Sequence, residues 1–384
     1  MSANLPILPG ATLGILGGGQ LGRMFTIAAR TMGYRVMVLD PDPQSPAGQM
    51  ADVHVQADYT DHGALKKMAE ACAAVTTEFE NVPAASLVEL SRYTRVAPNA
   101  EAVSIVQDRS REKTWLRENG FTTAPFALIA HENELEAAAL ATGFPAILKV
   151  SRFGYDGKGQ IRVNNRNELA SAFAELEGVP CVLEGFVQMA NEVSVVLARA
   201  DSGECRSWPV GENRHTNGIL DTTTVPASVS ESIQENAQAT ATQIAAKLDY
   251  VGVMAVEFFV DSAGNLLVNE IAPRPHNSGH YTLDACVTDQ FEQQVRALCG
   301  LPLGDTRLLS PVVMVNLLGD IWRQGPDWMV LLRHPGIKLH LYGKAEARPG
   351  RKMGHYNCLA ESMDSAVELA NITRKQLGII PLSG

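Results

Sequence analysis

One stretch of this sequence combines two acidic residues with a group of polar side chains. Glu257 and Glu270 lie in apolar, strand-like runs, residues 253–260 and 266–271, and the turn-like residues 262–265 join the two runs. This pattern predicts a β-hairpin that presents both carboxylates to one site. Paired carboxylates suit a Mg²⁺ ion that carries a nucleotide phosphate. Two surface carboxylates on an ordinary hairpin are the alternative.

The loop after the second strand carries residues that suit an anion. They are Arg274, His276, Asn277 and Ser278. A guanidinium group presents a planar pair of donors that matches a small planar anion, and the histidine and asparagine add further donors. We therefore predict two adjoining sites, one for a metal-bound nucleotide and one for a second, smaller anion.

Composition argues against several classes of protein. The chain has 384 residues, 46% hydrophobic and 19% charged, which is typical of a globular protein of two or three domains. We find no bilayer-spanning apolar run and no signal-peptide pattern, so no membrane partner is expected. The six cysteines are scattered without a C-x-x-C pair, which argues against a zinc site and fits a reducing cytoplasm. The net charge of −10 disfavours nucleic acid, and an anionic substrate would need local basic residues or a metal ion.

A glycine motif follows the first predicted strand. Residues 12–16 lead into G-x-G-x-x-G at residues 17–22 and then into a helical pattern. Such glycines let the backbone approach an anion at a helix N-terminus, and Asp40 follows at the end of the next strand-like run, 35–39. Taken alone, the motif predicts a dinucleotide site. The stiff, proline-rich turn at residues 41–47 counts against it, because an adenosine ribose would have to lie there.

Two polar residues follow the predicted strand at 74–77. They are Glu78 and Asn81. In open α/β sheets the carboxyl ends of strands line the ligand crevice, so both are candidates for a site. The alternative is that they cap a helix before Pro83. We predict an α/β unit for residues 1–100 and leave its ligand open.

A lysine lies within an apolar strand in the middle of the chain. After a predicted helix at residues 102–119, Lys149 lies in the strand-like run 144–150. Lysine is rarely buried without a partner, so Lys149 is predicted to face an anion. A side chain that extends to solvent is the alternative. Later helical patterns at 228–248 and 282–299 are predicted to be scaffold.

A glycine-rich loop follows this strand directly. Its residues are Gly154, Tyr155, Asp156, Gly157, Lys158, Gly159 and Gln160. The amides of such a loop can close over phosphates. It is not a Walker A loop, because the glycine spacing differs and a strand follows instead of a helix. The alternative is that the loop is a mobile hairpin tip without a ligand. The next strand, 182–184, leads into residues 185–187, where Glu184 and free backbone groups could bind an adenine edge.

The order of these features resembles the ATP-grasp superfamily, in which two α+β lobes clamp ATP. Six stretches are similar to one family within it, the ligases of purine biosynthesis that carboxylate 5-aminoimidazole ribonucleotide. The stretches are GGGQLGRM, TTEFENV, KVSRFGYDGKGQ, EGFV, NEIAPRPHNSGH and YGK…RPGRKMGH. The resemblance extends from about residue 12 to residue 380. Its specificity lies in the combination, since no single stretch is specific.

The resemblance implies a chain that is α/β in its first part and α+β beyond. It implies a Rossmann-like pre-ATP-grasp domain at residues 1–100 and a linker helix with a lid subdomain at 101–190. A core subdomain with the metal site would follow at 191–310, and a small C-terminal domain at 311–384 would contribute to the substrate phosphate site. A cytoplasmic homodimer is implied as well.

The resemblance also implies a set of contacts to ATP and Mg²⁺. Arg109 and Lys149 would hold phosphates beneath the loop at residues 154–160, which acts as a lid, and Glu257 and Glu270 would bind the metal. The other implied contacts are Glu184, Gly185, Phe186, Val187, Glu192, His215 and Asn269.

On the acceptor side, the resemblance implies bicarbonate near Arg274, His276 and Asn277. Its reaction with ATP would give carboxyphosphate and ADP. Tyr155 and Asp156 would lie near the substrate amine, with Asp156 as a candidate base or orienting group. The implied contacts of the ribonucleotide are Gly19, Gln20, Leu21, Glu78, Asn81, Ser278, Lys344 and Arg351, of which the last two would bind its 5′-phosphate.

Three other functions stay open at this point. Another ATP-grasp enzyme of purine biosynthesis, such as a glycinamide ribonucleotide enzyme that uses formate, would share much of this equipment. The glycine motif keeps an NAD(P)-dependent oxidoreductase open, and a nucleotide-binding regulator without catalysis is the third. Exchange of bicarbonate for formate or glycine tests the first alternative. Titration with NADH against ATP tests the second, and a turnover assay tests the third.

Overall fold

The chain begins with alternating strands and helices, as the sequence predicts. The computed structural model describes residues 5–154, 157–380 and 382, so Tyr155 and Asp156, predicted near the substrate amine, lie outside the described residues. The first unit comprises β1 (Thr12–Leu16), α1 (Gln20–Thr31), β2 (Arg35–Leu39), β3 (Val53–Val55), α2 (His62–Ala71), β4 (Ala74–Thr77), α3 (Ala84–Ser91) and β5 (Arg95–Val96). These strands form a parallel sheet in the order β3-β2-β1-β4-β5. The apolar strands suit a parallel sheet, whose two faces are both covered.

A helical linker and an antiparallel sheet follow. Their elements are α4 (Ala100–Val106), α5 (Arg109–Glu118), β6 (Phe126–Ile129), α6 (Leu135–Thr142), β7 (Ala146–Val150), β8 (Gln160–Val163), α7 (Arg166–Glu175) and β9 (Cys181–Gly185). The sheet has the order β6-β9-β7-β8. Helices α6 and α7 pack on it around a core that includes Leu148, Leu169 and Phe173.

The single helix predicted at residues 102–119 is wrong. It is interrupted after α4, and Asp108 lies in extended backbone just before α5. The Asp108 carboxylate accepts the amide N–H groups of Ser110 at 3.0 Å and Arg111 at 3.3 Å, which makes it the N-cap of a new helix. The interruption sets the direction of α5, and Arg109 is the first residue of that helix.

The acid hairpin belongs to the largest sheet of the described chain. The first elements of this part are β10 (Met189–Arg199), β11 (Cys205–Ser207), β12 (Gly211–Thr216), β13 (Ile219–Val225), α8 (Glu231–Lys247), β14 (Gly252–Asp261), β15 (Leu266–Ala272), α9 (Thr282–Ala285) and α10 (Gln290–Cys299). Strands β14 and β15 confirm the predicted hairpin. The single helix predicted at 282–299 is wrong, because α9 ends early and Asp289 caps α10 through the amides of Phe291 and Glu292.

The C-terminal strands extend this sheet. The last elements are β16 (Val312–Leu318), α11 (Met329–Leu332), β17 (Ile337–Leu341), β18 (Lys352–Leu359) and α12 (Met363–Gln376). Because β16 pairs with β13, the sheet has the order β15-β14-β10-β12-β13-β16-β18-β17, with β11 on β10. The region predicted as a small C-terminal domain is therefore continuous with the core sheet.

Candidate nucleotide and acceptor site

The two acids of the hairpin face each other on neighbouring strands. Glu257 of β14 and Glu270 of β15 are direct register partners. Burial and the charge of Glu270 raise the pKa of Glu257 to about 7. Nη2 of Arg109 lies 3.4 Å from Oε2 of Glu270. Two adjacent carboxylates, of which Glu257 is buried, favour a bound cation, in line with the predicted metal site.

Three cations surround a buried carboxylate next to this pair. The Nζ atoms of Lys149 and Lys113 lie 2.9 Å and 3.5 Å from Oε2 of Glu184. Burial opposes the ionisation of Glu184, but the charges of Lys149, Lys113 and Arg109 outweigh it and lower its pKa to about 2. Lys149 thus faces an anion, and the surplus of positive charge favours the phosphates of a nucleotide.

Glu184→Gln is expected to destabilise the fold by about 3 kcal/mol at pH 7, because two buried ammonium groups lose their counter-charge. Glu184 has a lowered pKa in the folded state, so its contribution is present above about pH 4.5 and is lost as the pH falls toward 2. Urea unfolding of both proteins at pH 7 and pH 3 measures the difference. The exposed Glu204→Gln serves as the control, and a difference independent of pH would contradict this account.

The glycine-rich loop connects β7 and β8. Gly157 and Gly159 have φ angles of 77° and 70°, which side chains disfavour. A Cβ atom on Gly157 would lie 3.0 Å from the carbonyl oxygen of Asn217 and 3.3 Å from Cα of Gly218, so the loop packs against the β12–β13 turn. The other described loop residues are Gly154, Lys158 and Gln160, the last of which begins β8. The loop therefore extends from the smaller sheet toward the central sheet, where a lid would act.

The residues predicted to contact adenine follow Glu184 at the end of β9. The amides of Gly185 and Phe186 donate to backbone carbonyl groups at 2.8 Å and 2.9 Å. Phe186 is 41% exposed, and the Arg162 guanidinium carbon lies 4.4 Å from the centroid of its ring. Val187 is partly buried beside it. The adenine contact stays a prediction, and these residues form an ordered strand end that could make it.

Glu192 and His215 form a pair beside the acids. Oε2 of Glu192 lies 2.5 Å from Nδ1 of His215. Burial opposes a charge on His215, but this hydrogen bond and the charges of Glu257 and Glu270 outweigh it and raise its pKa to about 9. His215 is therefore a cation at neutral pH, which suits its predicted contact with ATP.

Arg274 of the anion loop is held by Glu80 of the N-terminal unit. Its Nε and Nη2 atoms lie 2.5 Å and 3.3 Å from the two carboxylate oxygens of Glu80. Burial opposes the ionisation of Glu80, but the charge of Arg274 outweighs it and lowers the pKa of the carboxyl. This bidentate pair fixes the plane in which the guanidinium group can receive an anion.

Two serines orient the ring of His276. The amide N–H and the Oγ atom of Ser278 lie 3.3 Å and 2.8 Å from Nδ1 of His276, and Ser194 donates to the same Oγ at 2.9 Å. An N–H group only donates, so Nδ1 accepts. Burial, with the charge of Arg274, lowers the pKa of His276 well below its ordinary value, so the neutral ring carries its hydrogen on Nε2. Nε2 lies 3.6 Å from Oε1 of Glu257 and presents a donor to the site.

The position of Ser278 differs from the prediction. The residue is fully buried, and its hydroxyl group bonds to Ser194 and to the ring of His276. These partners favour an orienting role for Ser278 over the predicted contact with substrate.

Several buried polar atoms of the site have no hydrogen-bond partner within the described residues. They are Oε1 of Glu184, Oδ1 of Asn269 and both polar side-chain atoms of Asn277. Buried polar groups are normally paired, because an unpaired one costs about 1–3 kcal/mol. Three residues predicted to bind ligand thus present groups that a ligand could satisfy.

The glycine motif binds carboxylates of the protein itself. The amides of Gly19 and Gly22 donate to the two oxygens of Glu78 at 2.5 Å and 2.6 Å, and that of Gly18 donates to Asp40 at 2.7 Å. A Cβ atom on Gly19 would lie 2.5 Å from Oε1 of Glu78, so glycine is needed for this approach. The amides that a dinucleotide pyrophosphate requires are occupied, which argues against the dinucleotide alternative.

The structure also shows where the other residues predicted to bind the ribonucleotide lie in this unit. The Gly19 amide, predicted to help bind the ribonucleotide phosphate, is bound to Glu78. Leu21 is 8% exposed and belongs to the core. Glu78 caps α1 rather than α3, whose N-cap is Pro83 without a side-chain bond. Asn81 lies half-buried in the connection between β4 and α3.

The basic C-terminal segment reaches the glycine motif. Nζ of Lys344 donates to Oε1 of Gln20 and, at 2.7 Å, to the carbonyl group of Lys352. Arg351 donates to the carbonyl group of Glu346 at 2.9 Å, within its own segment. The structure thus brings Lys344 and Gln20 together, as predicted, and ties Arg351 to the basic segment itself.

Sequence reasoning missed three charged residues of this region. They are Glu80, Lys113 and Lys352. Against the effect of burial, Lys352 adds to Arg274 in lowering the pKa of Glu80, which places its charge on the acceptor side. The only sequence signal for Glu80 was its place in the same turn as Glu78. Lys113 gave no signal, because a lysine on a helix normally faces solvent.

The described residues contain neither a membrane-spanning helix nor a preformed cluster of metal ligands. None of the described helices combines the length and apolar character needed to cross a membrane. In the same part of the chain, no three or more His, Cys, Asp and Glu side chains come together as a metal site.

Family models match three consecutive parts of the chain. A ribonucleotide synthetase preATP-grasp domain matches residues 10–107, and an ATP-grasp domain matches residues 114–291. A phosphoribosylaminoimidazole carboxylase C-terminal domain matches residues 312–369. The fold is that of the ATP-grasp class, with a companion domain on each side.

Individual relatives narrow this class. The N5-carboxyaminoimidazole ribonucleotide synthase of Bacillus subtilis (strain 168) is 45% identical over 369 residues, 96% of each chain. The solved N5-carboxyaminoimidazole ribonucleotide synthetase from Thermus thermophilus is 40% identical, with a TM-score of 0.90 over 97% of this chain and 100% of that one. N5-carboxyaminoimidazole synthase from Aspergillus clavatus, solved with ADP and 5-aminoimidazole ribonucleotide, is 31% identical, with a TM-score of 0.89 over 96% and 98% of the two chains. The chain belongs to the N5-carboxyaminoimidazole ribonucleotide synthase family.

Proposed function

We propose that the protein uses ATP and bicarbonate to carboxylate the exocyclic amine of 5-aminoimidazole ribonucleotide. The products are N5-carboxyaminoimidazole ribonucleotide, ADP and phosphate, in de novo purine biosynthesis. Family membership supports this, as does the relative solved with ADP and 5-aminoimidazole ribonucleotide. The observation that carries it is the 3.6 Å distance between Nε2 of His276 and Oε1 of Glu257. It joins the nucleotide side and the anion loop into one site.

In the first step, an oxygen of bicarbonate attacks the γ-phosphorus of ATP, the bond to the bridging oxygen breaks, and ADP leaves. Such a transfer depends on positioning and charge neutralisation. Lys149 and Arg109 would supply positive charge for the phosphates. Arg274, whose plane Glu80 fixes, would hold bicarbonate, and the Nε2–H group of His276 would donate to the same anion.

The second step transfers the carboxyl group of carboxyphosphate. The amine nitrogen attacks the carbonyl carbon, either of carboxyphosphate or of CO₂ released from it, the C–O bond to phosphate breaks, and the amine loses a proton. Asp156 is the proposed base, with Tyr155 beside it; both lie outside the described residues. Because carboxyphosphate hydrolyses in water, we propose that the loop at residues 154–160 excludes solvent.

The residues of the hairpin fit a Mg²⁺ ion. Glu257 and Glu270 would hold it, and a cation would relieve the repulsion that, together with burial, raises the pKa of Glu257 to about 7. No third protein carboxylate or histidine completes a metal group within the described residues, so ATP phosphates and water would supply the other ligands. Bound there, Mg²⁺ would neutralise phosphate charge.

We also propose a cytoplasmic homodimer, as the resemblance implies. The cysteines of the structure are all free, which fits a reducing compartment. Light scattering at several protein concentrations tests the dimer.

Lys344→Ala is expected to raise the KM for the ribonucleotide about 10-fold to 100-fold, because a charged contact to its phosphate is lost. The KM for ATP should change by less than about twofold, since Lys344 contacts Gln20 of α1, whereas the cations around Glu184 belong to other elements. Steady-state kinetics with each substrate varied checks this, with the exposed Lys338→Ala of β17 as the control. An effect confined to ATP would remove Lys344 from the phosphate site.

Release of ADP from Mg²⁺ and ATP tests the proposed function. We expect the full rate only when bicarbonate and 5-aminoimidazole ribonucleotide are both present. Exchange of bicarbonate for formate distinguishes the rival glycinamide ribonucleotide enzyme. A full rate with formate, or a rate indifferent to the ribonucleotide, would reject the proposal.

A further inference from the structure

One buried glutamine binds both backbone polar groups of His276. Gln290, the first residue of α10, is fully buried. Its Oε1 atom accepts the His276 amide N–H at 2.8 Å, and its Nε2 atom donates to the His276 carbonyl oxygen at 2.8 Å. A peptide N–H only donates and a carbonyl only accepts, so the orientation of the side-chain amide is fixed. The glutamine therefore holds this residue as a neighbouring strand would.

The same side chain holds the rest of the loop. Nε2 of Gln290 also lies 2.9 Å from Nδ1 of His280. A Cβ atom on Gly279 would lie 2.6 Å from Oε1 of Gln290, so only glycine leaves room for the amide. The backbone amide of Gln290 donates to Oγ1 of Thr282 at 3.1 Å, and this hydroxyl group donates to the Gly279 carbonyl at 2.7 Å. The loop is thus bound to the start of α10 on both sides of Gly279.

We propose that Gln290 is a positioning residue for carboxylation. By holding the backbone of His276, it aims the Nε2–H group of that ring and the guanidinium group of Arg274, two residues earlier, at the reacting bicarbonate. Gln290 is buried behind the loop and acts through His276. This inference rests on the proposed function. Loss of Gln290 should affect the chemical step and not nucleotide binding, because Lys149 and Glu270 lie on other elements.

The same helix offers a matched control. Gln293 is also fully buried, and it binds both backbone polar groups of Gly304. It accepts the Gly304 amide at 2.7 Å and donates to the Gly304 carbonyl at 3.1 Å. Gly304 belongs to the connection between α10 and β16. A general loss of stability should therefore affect variants of Gln290 and Gln293 alike, whereas a loss of positioning should affect only Gln290.

Kinetics of Gln290→Met and Gln293→Met test the proposal, because methionine retains the volume but lacks the amide. We expect Gln290→Met to lower kcat about 100-fold, as a displacement of about 1 Å can do. Its KM for ATP should stay within about twofold of wild type, whereas Gln293→Met should keep at least about half of the wild-type kcat. Gln290→Leu, which also lacks the amide, should lower kcat to a similar extent and provides a second variant if methionine prevents folding.

Different results would overturn the positioning role of Gln290 and the proposed function. Equal kcat values in the Gln290 and Gln293 variants would overturn the positioning role, as would a raised KM for ATP with an unchanged kcat. A wild-type protein without bicarbonate-dependent turnover would instead overturn the proposed function.

Discussion

Glu270→Gln is expected to lower bicarbonate-dependent ADP release by about 1000-fold while the protein stays folded. Glutamine has the shape of glutamate but lacks the charge that a Mg²⁺ ligand needs. Glu270 is the register partner of Glu257 and lies 3.4 Å from Arg109. Its replacement would remove the charge of one of the two proposed metal ligands and the ion pair with Arg109, although the amide oxygen can still accept a hydrogen bond from the guanidinium group. A coupled assay for ADP at saturating substrates measures the loss.

The control for this prediction lies on the same hairpin. Asp261 accepts the amides of Ala263 and Asn265 at the exposed turn, and asparagine can accept the same bonds. Asp261→Asn should therefore keep at least about half of the wild-type rate. A thermal unfolding midpoint close to wild type would show that Glu270→Gln is folded. Substantial turnover in that folded variant would remove Glu270 from the metal site.

Arg274→Lys is expected to lower kcat/KM for bicarbonate by about 100-fold to 1000-fold. Two nitrogens of the guanidinium group bind the carboxylate of Glu80 at 2.5 Å and 3.3 Å. A lysine ammonium is a point charge and cannot bind Glu80 with two parallel bonds while it also receives a planar anion. Rates of ADP release over a range of bicarbonate concentrations, with ATP and ribonucleotide saturating, give the value.

A matched pair of variants tests the reason given for this loss. Arg166→Lys changes an exposed arginine that pairs with Glu136 at 2.9 Å, and it should leave kinetics unchanged. Glu80→Gln should weaken bicarbonate use less than Arg274→Lys does, because the amide still accepts one bond from the guanidinium group. If Arg274→Lys supports normal turnover at ordinary bicarbonate concentrations, the planar arrangement has no part in the chemistry.

Local patterns predicted much of the fold correctly. The alternating apolar runs of β14 and β15 flank a turn sequence, so their pairing needed no distant information, and Glu257 and Glu270 are register partners. The strand boundaries of β1, β2 and β4 were likewise predicted, because buried parallel strands are short continuous apolar runs. Lys149 was predicted to face an anion for an equally local reason.

The two wrong helices show where local patterns fail. No glycine or proline follows Asp108 or Asp289 that would end a helix, so the sequence pattern alone extends each helix through the aspartate. In the structure each aspartate starts a new helix by accepting two amides of the following turn. Sequence alone does not distinguish an aspartate at an N-cap from an aspartate on the surface of a helix. The difference depends on the direction that packing imposes on the chain.

The ligand of the glycine motif stayed open for a different reason. Its amides do bind an anion at a helix N-terminus, as the spacing predicts, but the anion is the carboxylate of Glu78, 59 residues from Gly19. The pairings of Arg274 with Glu80, and of His276 with Gln290, also join distant parts of the chain. Such contacts depend on the tertiary fold, so the sequence located the site without specifying the residues that orient it.

Isotope transfer from bicarbonate to phosphate tests the central claim most directly. If bicarbonate attacks the γ-phosphorus of ATP, one of its oxygens must remain on phosphate when the carboxyl group moves to the ribonucleotide amine. With ¹⁸O-labelled bicarbonate, ATP, Mg²⁺ and 5-aminoimidazole ribonucleotide, we expect one labelled oxygen in each phosphate released, measured by mass spectrometry within the first turnovers. Unlabelled phosphate formed at the full rate would contradict the account.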